Sequence, residues 1–352
     1  MVRAAPSLTS LPGRFGAHLL PALTPDTGAW TILTIHWNLC MGTISSFLDE
    51  RPDLLPLLEA LERFDICGEF LLTELGHGLD ARNLETTATL QTDGTFVLHT
   101  PHLGAAKTMP PSSPHSGMQR TAVAFARLMV DGKDHGVRAF IVPLNDVSGA
   151  MSRGVSCTLF PARPGAKAID HSLTSFTHVP LPAGALLGNL HGSLEDERRA
   201  FMHAIHRVTV GTLCLSTSNA IVLRVAGCIA GRYSAQRRVG APKSVPILSF
   251  STQYGPIARI LVHAVVFDNW AIESTKMFMA NIGKLDMLNV IGGVFKTTVL
   301  TYTQKALSDL VDRCGWQGLY AHNQVSKLPF LPIPCVRKNQ HKLTSFRLGN
   351  YG

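Results

Sequence analysis

Apolar positions change their spacing twice along this chain. Residues 29–47 are mostly apolar and free of proline. Pro52 then suits a first helical turn, and Leu54, Leu55, Leu57, Leu58, Leu61 and Phe64 recur at helical spacing. Residues 29–66 therefore read as helical. After Gly68 the period shortens. Residues 84–90 are rich in threonine, Asp93-Gly94 signals a turn, and residues 95–100 alternate. Residues 121–130 and 137–142 read as strands around a hairpin-type loop, Asp131-Gly132-Lys133-Asp134-His135-Gly136, and residues 155–160 and 174–179 add further strands. A proline- and serine-rich loop spans residues 110–117. From Ser193 the spacing is helical again. Ser193 with Asp196 makes a capping-box start for one long helix over residues 194–238. A loop follows at 240–246, then helices over 253–279 and 288–314. No internal repeat is visible. From Val325 onward the chain carries Pro329, Pro332 and Pro334, with Lys327, Arg337, Lys338, Lys342 and Arg347 and no acid.

Composition narrows this picture. A length of 352 residues with 45% hydrophobic content suits two or three structural units with a large buried core. Charged residues are only 16%, and no long low-complexity tract argues for disorder. The net charge of +8 points to an acidic partner such as a nucleic acid, a membrane surface or a phosphate-rich small molecule. The basic residues are scattered and no aromatic-interleaved module accompanies them, so nucleic acid is not expected. The seven cysteines are odd in number and form no Cys-x-x-Cys pair. Buried thiols are expected, with neither a zinc ribbon nor a disulfide framework and no metal. Residues 208–223 are the most membrane-like stretch, but Thr, Ser and Asn219 interrupt them and Arg224 follows. They read as a buried core helix, with no transmembrane span. Arg3, Pro6, Pro12 and Arg14 leave no long apolar run at the start, so no signal peptide is expected. The closing Asn350-Tyr351-Gly352 is not a Ser-Lys-Leu-type address.

The candidate chemistry sits in several blocks. Cys67-Gly68-Glu69-Phe70-Leu71-Leu72-Thr73-Glu74-Leu75-Gly76-His77-Gly78 leads into Leu84-Glu85-Thr86-Thr87-Ala88-Thr89. It is followed by His99-Thr100-Pro101, by the loop at 131–136 with residues 137–143 behind it, and by Asp170-His171-Ser172-Leu173-Thr174-Ser175-Phe176. Gly231-Arg232-Tyr233-Ser234-Ala235-Gln236-Arg237-Arg238 and Arg313-Cys314-Gly315-Trp316-Gln317-Gly318-Leu319-Tyr320 come later. In this order the blocks resemble the acyl-CoA oxidase / acyl-CoA dehydrogenase family, over roughly residues 29–324. The likeness is to fungal acyl-CoA oxidase-like proteins, some of which serve secondary metabolism.

The resemblance implies an α+β multidomain fold: a helical N-terminal domain (1–68), a central β-barrel-like domain (69–190), a C-terminal helical bundle (191–324) and an atypical basic tail (325–352). It implies FAD as cofactor, an acyl-CoA substrate and a homodimer with FAD near the subunit contact. The reaction implied is α,β-dehydrogenation of the thioester, with reduced flavin reoxidised by oxygen or an electron carrier. A non-catalytic relative that binds FAD or acyl-CoA, or pairs with an active homologue, is the alternative. Peroxisomal placement follows from the resemblance, with a cytoplasmic location as alternative. By the family pattern, Thr73 brings its hydroxyl and backbone to the flavin, with Gly76 and Gly78 permitting close approach. Arg237 meets the pyrophosphate, and Gly315 and Gly318 approach FAD across the subunit contact.

Two departures stand out. Where the family shows aromatic residues and then Gly-Gly after Lys107, this chain has Thr108-Met109-Pro110-Pro111-Ser112-Ser113, and proline offers no N–H. The family's glutamate base is also missing. Nothing after Asp312 is acidic, and no acid lies between Glu197 and Asp268. Glu273, Asp286, Asp309 and Asp312 match no family base position, and His322 reads as a surface or packing residue. No catalytic residue is assigned. A truncated or altered C-terminus accounts for both the lost glutamate and the tail.

Overall fold

The computed structural model describes residues 27–78, 80–114, 117–161, 169–190, 201, 202 and 204–323. The chain divides into two compact units. One comprises Gly28–Ala162 with Ala168–Gly211, and the other runs from Thr212 onward.

The first unit begins with helix α1 (Thr27–Leu33), a π-helical stretch Thr34–Met41 and α2 (Gly42–Ser45). A π turn shifts side chains off the regular α face. Here Thr34, His36, Asn38 and Cys40 are all buried. The Asn38 carbonyl accepts from Arg207 Nε at 3.0 Å, and the Arg207 carbonyl accepts from Asn38 Nδ2 at 3.1 Å. Helix α3 (Leu55–Glu62) follows Pro52 and buries Leu58 and Leu61. It stops where Phe64 takes φ +61°, which places the Phe64 ring over His36 at 4.0 Å.

Ten strands follow: β1 (Cys67–Leu71), β2 (Thr87–Leu90), β3 (Phe96–His99), β4 (Lys107–Thr108), β5 (Arg120–Val130), β6 (Lys133–Pro143), β7 (Val155–Leu159), β8 (Ser172–Phe176), β9 (Val179–Leu181) and β10 (Leu186–Leu187). The larger sheet has seven strands in the order β10-β6-β5-β2-β3-β9, with β1 parallel to β5. The smaller one is β4-β8-β7. Strand β5 is buried on both faces. Ala122, Ala124, Ala126 and Leu128 join a core with Phe96, Phe140 and Phe176. Val123 and Phe125 face a second core with Cys40, Ile44, Leu58, Leu61 and Phe70. Small alanines on one side and bulky residues on the other follow the period of two.

Three sequence expectations need correcting here. The loop expected over 131–136 is a two-residue turn. Asp131 and Gly132 take φ +49° and +74°, and Val130 pairs directly with Lys133. Positive φ at both positions suits the twist of a tight hairpin, so β6 starts four residues earlier than expected. The strand expected over 174–179 breaks at His178 (φ +49°), which ends β8 and sends β9 into the other sheet. The single helix expected over 194–238 is two helices, α4 (His206–Thr217) and α5 (Asn219–Gln236), with Ser218 between them. The Ser193–Asp196 cap lies outside the described residues, as does the basic tail.

Within the second unit, α5 is followed by a short ribbon, β11 (Arg238–Val239) with β12 (Val245–Pro246), where a loop was expected. Helices α6 (Ser251–Ala280) and α7 (Leu285–Arg313) pack on α5 and on each other. Gly227 lets α5 and α6 meet closely, since a Cβ there would stand 2.7 Å from Leu261 Cδ2. Ile257, Ile260, Phe267, Phe278, Phe295, Val299 and Leu307 fill the contact. Val262, Val265, Ile272 and Met277 of α6, with Met287, Val290 and Val294 of α7, leave exposed apolar positions at helical spacing. Among the described residues, His206–Gln236 is apolar and long enough by composition to cross a membrane, but 67% of its apolar 18-residue window is buried.

Candidate functional site

The block that opens the site is fixed from both ends. At its start, Gly68 N donates to His36 Nδ1 at 2.7 Å, and His36 Nε2 bonds the Leu61 carbonyl at 2.9 Å. With Nδ1 accepting, Nε2 must carry the proton, so the ring is neutral. Burial lowers the His36 pKa to about 4, against a weaker opposing effect of the Leu61 carbonyl. One residue on, Glu69 is buried against Arg120, which also reaches Cys67 Sγ. Burial raises Glu69 to about 8 although Arg120 opposes the shift, and it pushes the Cys67 thiol up to about 12. Burial also raises the Cys40 thiol. These two thiols are inert, whereas Cys228 is exposed and Cys157 only half-buried, against the expectation of buried thiols.

At the other end sits Glu74, fully buried. Its Oε1 accepts from Lys107 Nζ at 2.9 Å and Thr86 N at 2.9 Å, and its Oε2 accepts from Glu85 N at 2.7 Å. His77 Nδ1 lies 3.2 Å from Oε2. Burial pushes the Glu74 pKa up, but the Lys107 charge and the two amides outweigh it and hold the carboxyl below its usual range. Burial lowers Lys107 to about 8, with Glu74 opposing. The pair is charged near neutral pH. Backbone bonds extend the same clamp: Thr108 N to the Thr73 carbonyl at 2.9 Å, Leu75 N to Ala106 O at 2.9 Å, and Gly76 N to Gly104 O at 2.7 Å.

Thr73 itself is half-buried, and its hydroxyl takes no partner among the described residues. Gly78 faces open space, whereas a Cβ on Gly76 would meet the Gly104 carbonyl at 3.2 Å. Gly76 is thus needed for packing within the protein, and only Gly78 leaves room beside the chain. The Pro110–Ser113 stretch is held to β8. Met109 (φ +77°) donates its N–H to the Ser172 carbonyl at 3.1 Å, and Ser172 Oγ donates to the Pro110 carbonyl at 2.7 Å. Ser112 N bonds Ser172 Oγ and the Pro110 carbonyl, so it is engaged within the protein.

The second unit assembles the other candidates. Arg237 ends α5, is exposed, and makes no side-chain bond among the described residues. Gly315 adopts φ +56°, and a Cβ there would stand 3.8 Å from the Tyr233 hydroxyl. Gly318 is buried, and a Cβ there would press to 2.4 Å on the Val311 carbonyl. Gln253, which the sequence did not flag, joins these two segments. Its Nε2 donates to Ser234 Oγ at 2.8 Å and to the Arg313 carbonyl at 2.7 Å. The acids fare differently: Glu273, Asp286, Asp309 and Asp312 are all exposed, and Glu273 pairs with Lys276 at 2.7 Å. His322 is exposed as well. Among the described residues, no group of three or more His, Cys, Asp or Glu could hold a metal ion.

The residues fit a flavin dinucleotide in part. In the first unit a partner-free hydroxyl at Thr73 and space at Gly78 suit it, and in the second, taken by itself, a guanidinium without a carboxylate at Arg237 does. Pro110 and Pro111 supply no N–H. Acyl-CoA oxidase 1 of Yarrowia lipolytica is 30% identical over 276 residues, 75% of this chain and 40% of that protein. The chain belongs to the acyl-CoA oxidase / acyl-CoA dehydrogenase family. The solved acyl-CoA oxidase 1 of the same yeast overlays with TM-score 0.73 at 25% identity, covering 88% of this chain and 49% of its own. Acyl-CoA oxidase-1 of Caenorhabditis elegans, solved in complex with FAD and ATP, overlays with TM-score 0.71 at 25% identity, covering 85% and 46%. No family model matches the chain. The chain spans less than half the length of these acyl-CoA oxidases, and it shares their mixed fold of helices and a curled sheet.

Proposed function

We propose that this protein is a flavin-dependent oxidoreductase that carries out α,β-dehydrogenation of an acyl-CoA thioester. The step belongs to fatty-acid β-oxidation-like chemistry or to a secondary-metabolite acyl-CoA pathway. The observation that carries the reading is the 30% identity to an acyl-CoA oxidase across 75% of the chain. The partner-free Thr73 hydroxyl, at the family's flavin-contact position, supports it. When bound, FAD supplies the acceptor for the hydride that leaves the β carbon. Thr73 holds the flavin, Gly76 keeps the block folded, and Gly78 lets the ligand approach. Arg237 takes the pyrophosphate, with Gly315 and Gly318 shaping the neighbouring turn. The layout 1–68, 69–190 and 191–324 divides this work between a helical domain, a β domain and a helical bundle. A homodimer completes the FAD site from the partner subunit. The exposed apolar positions of α6 and α7 suit such an interface. The relatives' family placement favours the peroxisome.

A second reading, a non-catalytic relative that binds FAD or acyl-CoA, is favoured by the missing base. A base must come within hydrogen-bond reach of the α proton, and the four acids of the C-terminal helices are exposed and off the family positions. An anaerobic titration of FAD-loaded protein with acyl-CoAs of several chain lengths separates the two. Bleaching of the flavin band supports dehydrogenation. FAD binding without bleaching at any length removes it and leaves the second reading.

A further inference from the structure

The Glu74–Lys107 pair lies immediately beside the groups expected to meet the flavin. Thr73 precedes Glu74, and Thr108 follows Lys107. Thr108 N bonds the Thr73 carbonyl, and Glu74 and Lys107 form an isolated antiparallel bridge. The carboxylate draws together three pieces of chain that are distant in sequence: the Thr73–Gly78 block, the turn into β2 through Glu85 N and Thr86 N, and β4 through Lys107 Nζ. Both side chains are fully buried. His77 extends the cluster outward, lying 3.2 Å from Glu74 and 3.4 Å from Glu85, and Glu85 bonds His102 at 2.7 Å. No other fully buried acid among the described residues ties its segment to a second one through backbone amides and to a third through a lysine.

We infer that Glu74 and Lys107 are positioning residues that hold the Thr73 hydroxyl at a fixed height for the flavin, by clamping its segment to β4 and β2. The inference rests on the flavin-binding reading. A buried ion pair contributes little net stability compared with an apolar pair of similar shape, whereas removing one partner strands a charge. A clamp that only supported folding would therefore be replaceable by a neutral pair. A clamp that positions Thr73 would not, because a neutral pair has no acceptor for Glu85 N and Thr86 N.

The experiment compares wild type, Lys107→Met, Glu74→Leu and the double variant Glu74→Leu/Lys107→Met. Three readouts are taken: midpoint of urea unfolding, FAD dissociation constant, and the shape of the bound flavin's visible band. Glu74→Leu is expected to lower the midpoint most, since it strands the Lys107 charge and both amides. The double variant is expected to regain much of that midpoint, yet to bind FAD about tenfold or more weakly, with a shifted flavin band. A double variant that binds FAD with wild-type affinity and band shape overturns the positioning role while leaving the flavin reading intact. A double variant that does not regain stability beyond Glu74→Leu also overturns it, since the pair is then a folding element. Wild-type protein that binds no FAD removes both.

Discussion

His36 offers the sharpest quantitative test of how the candidate site is anchored. Its ring is fully buried, stacks on Phe64, and holds Gly68 N at the start of the strand that leads to Thr73. Protonation would place a charge in that core and turn Nδ1 from acceptor to donor, facing an N–H. The ring's pKa falls from an ordinary 6.5 to about 4 on folding. The unfolded chain thus binds a proton that the folded chain refuses, and stability rises with pH in this window. The contribution is fully present above about pH 6.5 and is lost as pH falls toward about 4. Between about pH 7 and pH 5 the linkage relation gives a loss of about 2 kcal/mol. Replacing the ring with a group that cannot titrate abolishes this share of the pH dependence. Urea unfolding of wild type and His36→Gln, each at about pH 7 and pH 5, gives the double difference. Other titrating groups cancel in it. His36→Gln is expected to be less stable at neutral pH but to lose about 2 kcal/mol less on acidification. Equal losses in both proteins would refute the neutral buried ring and the hydrogen bonds assigned to it.

Other outcomes follow from single contacts. Gly318→Ala drives a methyl onto the Val311 carbonyl and is expected to destabilise the protein by about 1–3 kcal/mol in thermal unfolding. Gln253→Leu fills the same space but removes both bonds that join α5 to the end of α7. It is expected to cost about 1–3 kcal/mol, with hydrogen exchange accelerated around residues 313–318. Arg237→Met is expected to weaken FAD binding and flatten its salt dependence without shifting the melting temperature, read by flavin fluorescence at several ionic strengths. Phe125→Ala, which empties the middle of β5 where Phe70 packs edge-on at 5.0 Å, is expected to cost about 3–5 kcal/mol in urea unfolding.

The elements were readable where one local pattern governs them. The β5–β6 hairpin announces itself through Asp131-Gly132, and the β2–β3 hairpin through alternation around Asp93-Gly94. The leucines after Pro52 gave α3, although only some of them are buried. What the sequence hid depends on partners far away. The π turn at 34–41 answers to Arg207, which lies about 170 residues later in the chain. His178 ends a strand because the two sheets diverge there, and no composition signal marks that. At the site, Thr73 and the glycines stood out by resemblance, but the Glu74–Lys107 clamp is a bridge across 33 residues. Nothing in the spacing of Glu74 and Lys107 marks it in the sequence. Gln253 leaves no mark either, since a lone glutamine in a helix has no pattern. Gly76 and Gly78 share one motif, yet one serves internal packing and the other leaves open space.

Among the described residues, strand β1 takes β5 as its sole strand partner, and it does so in parallel, with Cys67 facing Arg120 and Leu71 facing Ala124. The β2–β3 hairpin can close as soon as it is made, but β1 cannot. On a ribosome, these five buried residues leave the tunnel with no strand to pair with until some fifty more have been added. Pairing then closes a long loop, which is slow. During synthesis the segment that later presents Thr73 is consequently an apolar edge in need of cover.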